Sequence, residues 1–222
     1  MGKTFTICPA AMQGVMKYCG EEALRYHMEY PAFHPNCPAV RKINRYYKTL
    51  ALQACRNVRS ELYAPAVGQR RYAARHGIVM PVYEVHTELQ TTYLAGCVAS
   101  LRFDQYQFTG GAHGNTLRCT RTWNLPAACP LRLEQLTVGN DPKQVFLDGI
   151  QAQIACRPQD YFDNASLLAA QQFDPRRFYC TPRGVVLYYQ QYEIAPYSSG
   201  IPEFFFPYSA GILEPCQLFR EA

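Results

Sequence analysis

The sequence of 222 residues lacks most of the patterns that assign a function at a glance. None of its ten cysteines forms a C-x-x-C pair, which removes the usual zinc-knuckle and thioredoxin-type spacings. There is no G-x-S-x-G string, so a serine nucleophile on a strand-to-helix elbow is not indicated. No His-x-x-x-His pairing joins any of the five histidines, and no flanking signature singles out a catalytic cysteine. No apolar run reaches the roughly 18 residues that a membrane span needs. The opening stretch, Met1 to Cys8, has one lysine and then apolar residues interrupted by threonine, too short for a signal-peptide core. As written, the chain is expected to be cytoplasmic; an upstream signal or anchor would instead place it outside the cell or at its surface. Tryptophan occurs once, against 17 tyrosines.

That tyrosine excess suits half-covered strand faces first and contact surfaces second. The hydrophobic fraction of 48% and charged fraction of 18% are those of a folded globular chain, long enough for one large domain or two small ones. Cysteines at 8, 19, 37, 55, 97, 119, 129, 156, 180 and 216 are scattered rather than clustered, and a chain of this size needs no staples. Reduced, structural thiols are therefore expected for most of them. Cys55, Cys97 and Cys180 lie on or beside apolar elements, whereas Cys119 and Cys129 flank an expected hairpin and are the best placed to pair.

Periodicity supplies the organisation. A strand is expected through Arg25–Tyr30, ended by Pro31 and Pro35. After Pro38, residues Val40, Ile43, Tyr47, Leu50, Ala54, Val58 and Leu62 recur at three- and four-residue steps and mark a helix face. Arg41, Arg45, Lys48, Arg56 and Arg59 fall on its opposite face. From Arg41 to Arg75 there are nine Lys or Arg and one acid, Glu61, so the remainder of the chain is net acidic against a total of +5. Pro65 is expected to end or kink this helix. Strands follow at 82–93, 97–108 and 117–123, with the glycine-rich stretch 109–115 as a loop. A short β-ribbon is read near Leu131 and Leu133. Asn140 or Asp141 with Pro142 opens a second helix, with Val145, Phe146, Gly149, Ile150 and Ile154 as its stripe. A short helix near 165–173, a tight turn at Thr181–Gly184 between two strands, and a last strand at 203–208 complete the reading. The expected class is α+β, with mainly antiparallel sheets packed against a few helices.

Two long strings carry a family resemblance. Phe178-Tyr179-Cys180-Thr181-Pro182-Arg183-Gly184-Val185-Val186-Leu187-Tyr188-Tyr189, continuing through Tyr192-Glu193-Ile194-Ala195-Pro196-Tyr197 to Gly200-Ile201-Pro202-Glu203-Phe204, resembles the C-terminal domain of RsiV-like proteins. Phe108-Thr109-Gly110-Gly111-Ala112-His113-Gly114-Asn115, followed by Trp123-Asn124-Leu125, resembles the end of the PdaC-type domain that precedes it. The resemblance implies two tandem modules, a PdaC-type domain at 1–125 and an RsiV-like domain at 126–222. It also implies a binding role: such module pairs form the extracellular part of lysozyme-sensing anti-sigma factors, and a PdaC-type module precedes the catalytic domain of peptidoglycan deacetylases. The intracellular sigma-binding segment and the deacetylase domain have no counterpart in these residues, so only the binding module carries over.

Candidate sites follow from this. Gly110, Gly111, His113 and Asn115 form a loop that opens a strand, so it reads as a turn or a contact loop rather than a phosphate cradle at a helix start. Glu193 and Glu203 bracket a loop with Tyr192 and Tyr197, a composition found on recognition surfaces. A carboxylate pair at that spacing also admits glycosidase-type chemistry. Glu84, His86 and Glu88 share one strand face, which reads as solvated. Arg41, Arg45, Lys48, Arg56 and Arg59 form a candidate anion-binding face. The expected activity is non-enzymatic binding of a protein such as a lysozyme, or of a cell-wall glycan, with no cofactor and no metal. Nucleic acid is disfavoured because the basic face has little aromatic interleaving. The alternatives are a small cell-wall hydrolase, or an intracellular anion-binding protein using the basic helix at 41–75.

Overall fold

The computed structural model describes residues 4–139, 141–209 and 211–219. Its elements run β1 (Thr6–Tyr18), β2 (Glu21–His34), α1 (Pro38–His76), β3 (Tyr83–Ala95), β4 (Val98–Phe108), β5 (Asn115–Asn124), β6 (Cys129–Pro130), α2 (Pro142–Cys156), α3 (Ala165–Gln171), β7 (Phe178–Thr181), β8 (Gly184–Tyr188) and β9 (Glu203–Pro207), with short 3-10 turns between them. Strands β1 to β6 lie in sequence order in one sheet and β7–β8–β9 form a second. The β1–β2, β5–β6, β7–β8 and β8–β9 pairs are antiparallel, whereas β2–β3 is parallel because α1 carries the chain back between them. This is the α+β class expected, with three α-helices among the described residues.

The chain divides into two compact units that do not follow chain order. One holds residues 1–5, 90–102 and 118–222; the other holds 6–89 and 103–117. Strands β3, β4 and β5 each give one end to each unit, so compactness groups residues differently from a linear cut at 125/126.

In the unit containing 6–89, α1 lays Val40, Ile43, Tyr47, Ala51, Cys55 and Val58 inward, and Leu24 and Met28 of β2 with Tyr83 and Val85 of β3 complete its core. The buried stripe is shifted from the expected one: Ala51 and Cys55 lie on it, while Leu50 is 47% exposed. A period of 3.6 places residues 47, 51, 55 and 58 on one line, and Leu50 falls outside that line despite its apolarity. Pro65 does not end α1, which runs on to His76 and closes at Gly77 in the left-handed region, φ 64°. Pro65 is exposed, so the Glu61 carbonyl it leaves unbonded is open to water rather than buried. Pro31 does not end β2 either. It stands opposite Pro9 of β1, and since neither proline has an N–H, the two share a position where no ladder bond is required. The Asn44 side chain holds the start of α1 to the end of β2, accepting from Phe33 N at 2.8 Å and donating to Phe33 O at 3.0 Å.

In the other unit, α2 packs Phe146, Leu147, Ile150 and Ile154 against β9, and Phe178, Leu187, Phe204 and Phe206 fill the centre. Val145 is half exposed and Leu147 takes its place. A side chain at Gly149 would bring its Cβ to 2.4 Å from the Phe206 ring, so this helix approaches the sheet only because residue 149 has none. Asp141 caps α2, its carboxylate accepting from Gln144 N at 3.1 Å; Asn140, the other candidate cap, lies outside the described residues. Every residue of β8 is buried, as its two-sided apolar run implies. That strand ends at Tyr188, and the chain turns out at Gln190–Glu193. All ten cysteines are thiols: Cys55 and Cys180 are buried, and the expected candidate pair, Cys119 and Cys129, forms no disulfide, both residues being exposed.

Candidate functional site

The residues of the 192–203 loop gather around two carboxylates, both engaged by arginine. In the β7–β8 turn, Thr181 Oγ1 accepts from Arg183 N and Gly184 N and donates to Gly184 O at 2.9 Å, which fixes a tight reversal. Beyond β8, Glu193 turns its carboxylate back to accept from Gln190 N at 2.8 Å and from Arg177 at 2.5 Å. Tyr192 sits at φ 66° and is 52% exposed, with its ring stacked on Tyr197 at 5.8 Å. A 3-10 turn over Tyr197–Ser199 and Gly200 at φ 68° then bring the chain back, and Ser199 Oγ donates to Asp160 O at 2.7 Å.

Glu203, the first residue of β9, is the centre of a second cluster. One carboxylate oxygen accepts from Arg118 of β5 and from the Tyr179 hydroxyl of β7 at 2.7 Å, and lies 3.6 Å from Arg102 of β4. Arg102 also stands over the Tyr179 ring at 5.8 Å, and Arg118 over the Tyr188 ring at 5.7 Å. Gln190 locks the backbone beneath: its side chain accepts from Arg118 N at 3.0 Å and donates to Arg118 O at 2.6 Å. Burial, reinforced by the hydrogen bond to Glu203, pushes the Tyr179 hydroxyl up to about 12, and burial, opposed in part by Thr120 and the nearby arginines, moves Tyr188 to about 12. Both phenols are therefore neutral donors at ordinary pH. Arg118, Glu203 and Tyr179 come from positions up to 85 residues apart, and neither arginine carried any local signal of this role in the sequence.

Beside the Glu203 carboxylate opens a cleft of about 620 Å³. Its walls are Arg157, Gln159, Asp160 and Tyr161 on one side and Ser198, Ser199, Ile201 and Glu203 on the other. The lining is mostly polar and offers donors, acceptors and both signs of charge, which suits a hydrated polar ligand or a protruding polar side chain better than an apolar molecule. The 157–161 segment was not among the candidate residues; only the fold brings it to the loop.

The remaining candidates lie elsewhere. Gly110, Gly111, His113 and Asn115 belong to the other compact unit and are not joined to the 192–203 loop within one unit. Gly110 and Gly111 take φ of 91° and 97°, values that require glycine, and Gln69 of α1 donates to Thr109 O at 3.2 Å to anchor the turn. His113 is exposed and its Nδ1 bonds Gly114 O at 3.0 Å, while Asn115 begins β5. On the strand face expected to be solvated, His86 and Glu88 are exposed and Glu84 pairs with Arg25 at 3.4 Å. Arg41, Arg45, Lys48, Arg56 and Arg59 are all exposed on α1. Among the described residues no group of three or more His, Cys, Asp or Glu is placed to hold a metal ion, and no helix is long and apolar enough to cross a membrane.

Comparison with known proteins divides the chain in two. Residues 19–116 match the family model described as Deacetylase PdaC, and residues 135–209 match a family of unknown function, DUF3298. The fold is similar to that of two solved DUF3298 family proteins. A Bacteroides fragilis protein aligns over 96% of both chains with 16% identity and a TM-score of 0.71. A Pseudomonas aeruginosa protein aligns over 99% of both chains with 21% identity and a TM-score of 0.63. No curated protein matches the chain. The α+β architecture is thus common to the chain and these structures, and in the chain a segment matching PdaC precedes one matching DUF3298.

Proposed function

We propose that the protein is a non-enzymatic binding module whose ligand-contact surface is the polar cleft and loop around Glu203. The observation that carries this reading is the use made of the loop's two glutamates. Glu193 is spent holding the loop to Arg177 and Gln190, and Glu203 accepts from Arg118 and Tyr179 with Arg102 beside it. A general acid or base must offer its carboxyl group to the reacting atoms. Carboxylates tied down in this way serve instead to present Tyr192, Tyr197, Ser198 and Ser199 on a rigid frame, which lowers the ordering cost of binding. The RsiV-like resemblance of 178–204 points to a lysozyme-type protein or a cell-wall glycan fragment as ligand, and to a role at the cell envelope. The deacetylase in the name of the matched PdaC model describes that family, and we do not assign the reaction to this chain.

Titration calorimetry of the full chain against a panel of lysozymes and soluble peptidoglycan fragments tests the proposal. Saturable binding to one of them is expected, weakened at least about tenfold by Ser198→Trp, which fills the cleft from an exposed position. Absence of heat with the whole panel removes this ligand class. Turnover of peptidoglycan that vanishes in Glu203→Gln would replace binding with hydrolysis.

A further inference from the structure

The outward face of α1 concentrates positive charge without internal compensation. At 100° per residue, Arg41, Lys42, Arg45, Lys48, Arg56 and Arg59 fall within an arc of about 120°, and they extend along about 27 Å of helix axis. All six are exposed, and the arc is turned away from the buried line of Val40, Ile43, Tyr47, Ala51 and Val58. No acid occurs between Pro38 and Ser60. Among the described residues no carboxylate pairs with Lys42, Arg45, Lys48, Arg56 or Arg59, and Arg41 donates only to the Asn36 carbonyl at 3.1 Å.

This arrangement works against the helix itself. Arg41 with Arg45, Arg45 with Lys48, and Arg56 with Arg59 are like-charge neighbours at three- or four-residue spacing, each costing a few tenths of a kcal/mol. Arg41 and Lys42 also sit in the first turns, at the positive end of the helix dipole, where no acid offsets them. A stripe that repels itself and has no carboxylate paired with it among the described residues is complementary to an external row of negative charge.

We propose that this stripe is a docking surface for a linear, base-free phosphate polymer laid along α1. The stripe is narrow and straight, which matches a chain of charges rather than a sheet of them. Its one exposed apolar member near the centre, Leu52, is 42% exposed and gives little to insert into a lipid surface. The arc contains no aromatic residue, and single-stranded nucleic acid binding draws on aromatic stacking of its bases. The proposal concerns a different surface from the Glu203 cleft and stands independently of its ligand.

The test is fluorescence anisotropy of labelled long-chain inorganic polyphosphate titrated with the full chain at several salt concentrations. Saturable binding is expected, with log K falling against log salt at a slope of roughly −0.7 per cation engaged. Arg45→Glu with Arg56→Glu should weaken it at least about tenfold, about 1.4 kcal/mol for the pair. Lys143→Glu with Arg183→Glu makes the same change in net charge from exposed positions in the other unit and should leave binding nearly unchanged. Circular dichroism and thermal melting confirm that both double variants are folded. The proposal is overturned by absence of binding, or by equal losses in the two double variants. It is equally overturned by tighter binding to oligo(dT) of matched charge, or by association with vesicles containing 30 mol% phosphatidylserine in the absence of polyphosphate binding.

Discussion

In the unit that holds the C-terminal half of the chain, the two loop glutamates sit among arginines and phenols; in the other unit, six cations of α1 face outward and pair with no carboxylate among the described residues. The first arrangement makes charge part of the frame, since a carboxylate that accepts two or three hydrogen bonds orders the backbone that supplies them. The second leaves charge outside the frame, where it contributes field and little stability. Formal charge alone does not separate these cases: Arg118 and Arg45 are the same residue type, and only their neighbours differ. Neutralised charge marks architecture here, and uncompensated charge marks a surface open to partners.

The contrast predicts unequal responses to mutation. Arg177→Ala should destabilise by about 2 to 3 kcal/mol, because Glu193 is only 17% exposed and would lose the charged partner that balances its burial. Urea unfolding followed by tyrosine fluorescence measures it, and a change under 0.5 kcal/mol would break the distinction between the two regions. Next comes an alkaline effect. Tyr179 and Tyr188 are raised in the folded state from about 10 to about 12, so their contribution is fully present below pH 10 and lost as pH rises through 12. For Tyr179 the loss is about 3 kcal/mol across those two pH units. Tyr179→Phe should flatten that part of the stability–pH curve, and phenolate absorbance should report late ionisation of Tyr179 in the native protein only. The smallest effect belongs to the stripe: Arg45→Glu with Arg56→Glu should shift stability by no more than about 0.5 kcal/mol, with any change towards stabilisation as self-repulsion is relieved. A loss of several kcal/mol in that variant would mean that the stripe is structural after all.

Much of the fold was legible because it is local. The 3.6-residue recurrence from Val40 to Val58, the alternation through β3 and β4, the Asp141–Pro142 helix opening and the Thr181–Gly184 turn each follow from short-range sterics and side-chain period. Errors fell where a local rule met tertiary compensation. Pro65 is expected to end or kink α1, and the helix does not end there, since at an exposed position a missing hydrogen bond is replaced by water. Pro31 was read as a strand end, yet Pro9 across the ladder removes the need for its N–H. The candidate site was half legible: Tyr192, Glu193, Tyr197 and Glu203 lie in one recognisable string, whereas Arg102, Arg118, Arg177 and Asp160 carried no local mark.

The sequence by itself determined most of the elements from residue 25 onward, the mainly antiparallel α+β class, and the basic face of one helix, because each depends on the period and chemistry of neighbouring residues; the first strand, Thr6–Tyr18, was not legible in it. Only the tertiary structure decided which charges are neutralised. Arg118 reaches Glu203 across 85 residues and the 157–161 segment meets the 196–203 loop to make a cleft, while among the described residues the α1 stripe pairs with no acid. Coulomb energy depends on distance in space and on local burial, and neither is a property of position along the chain.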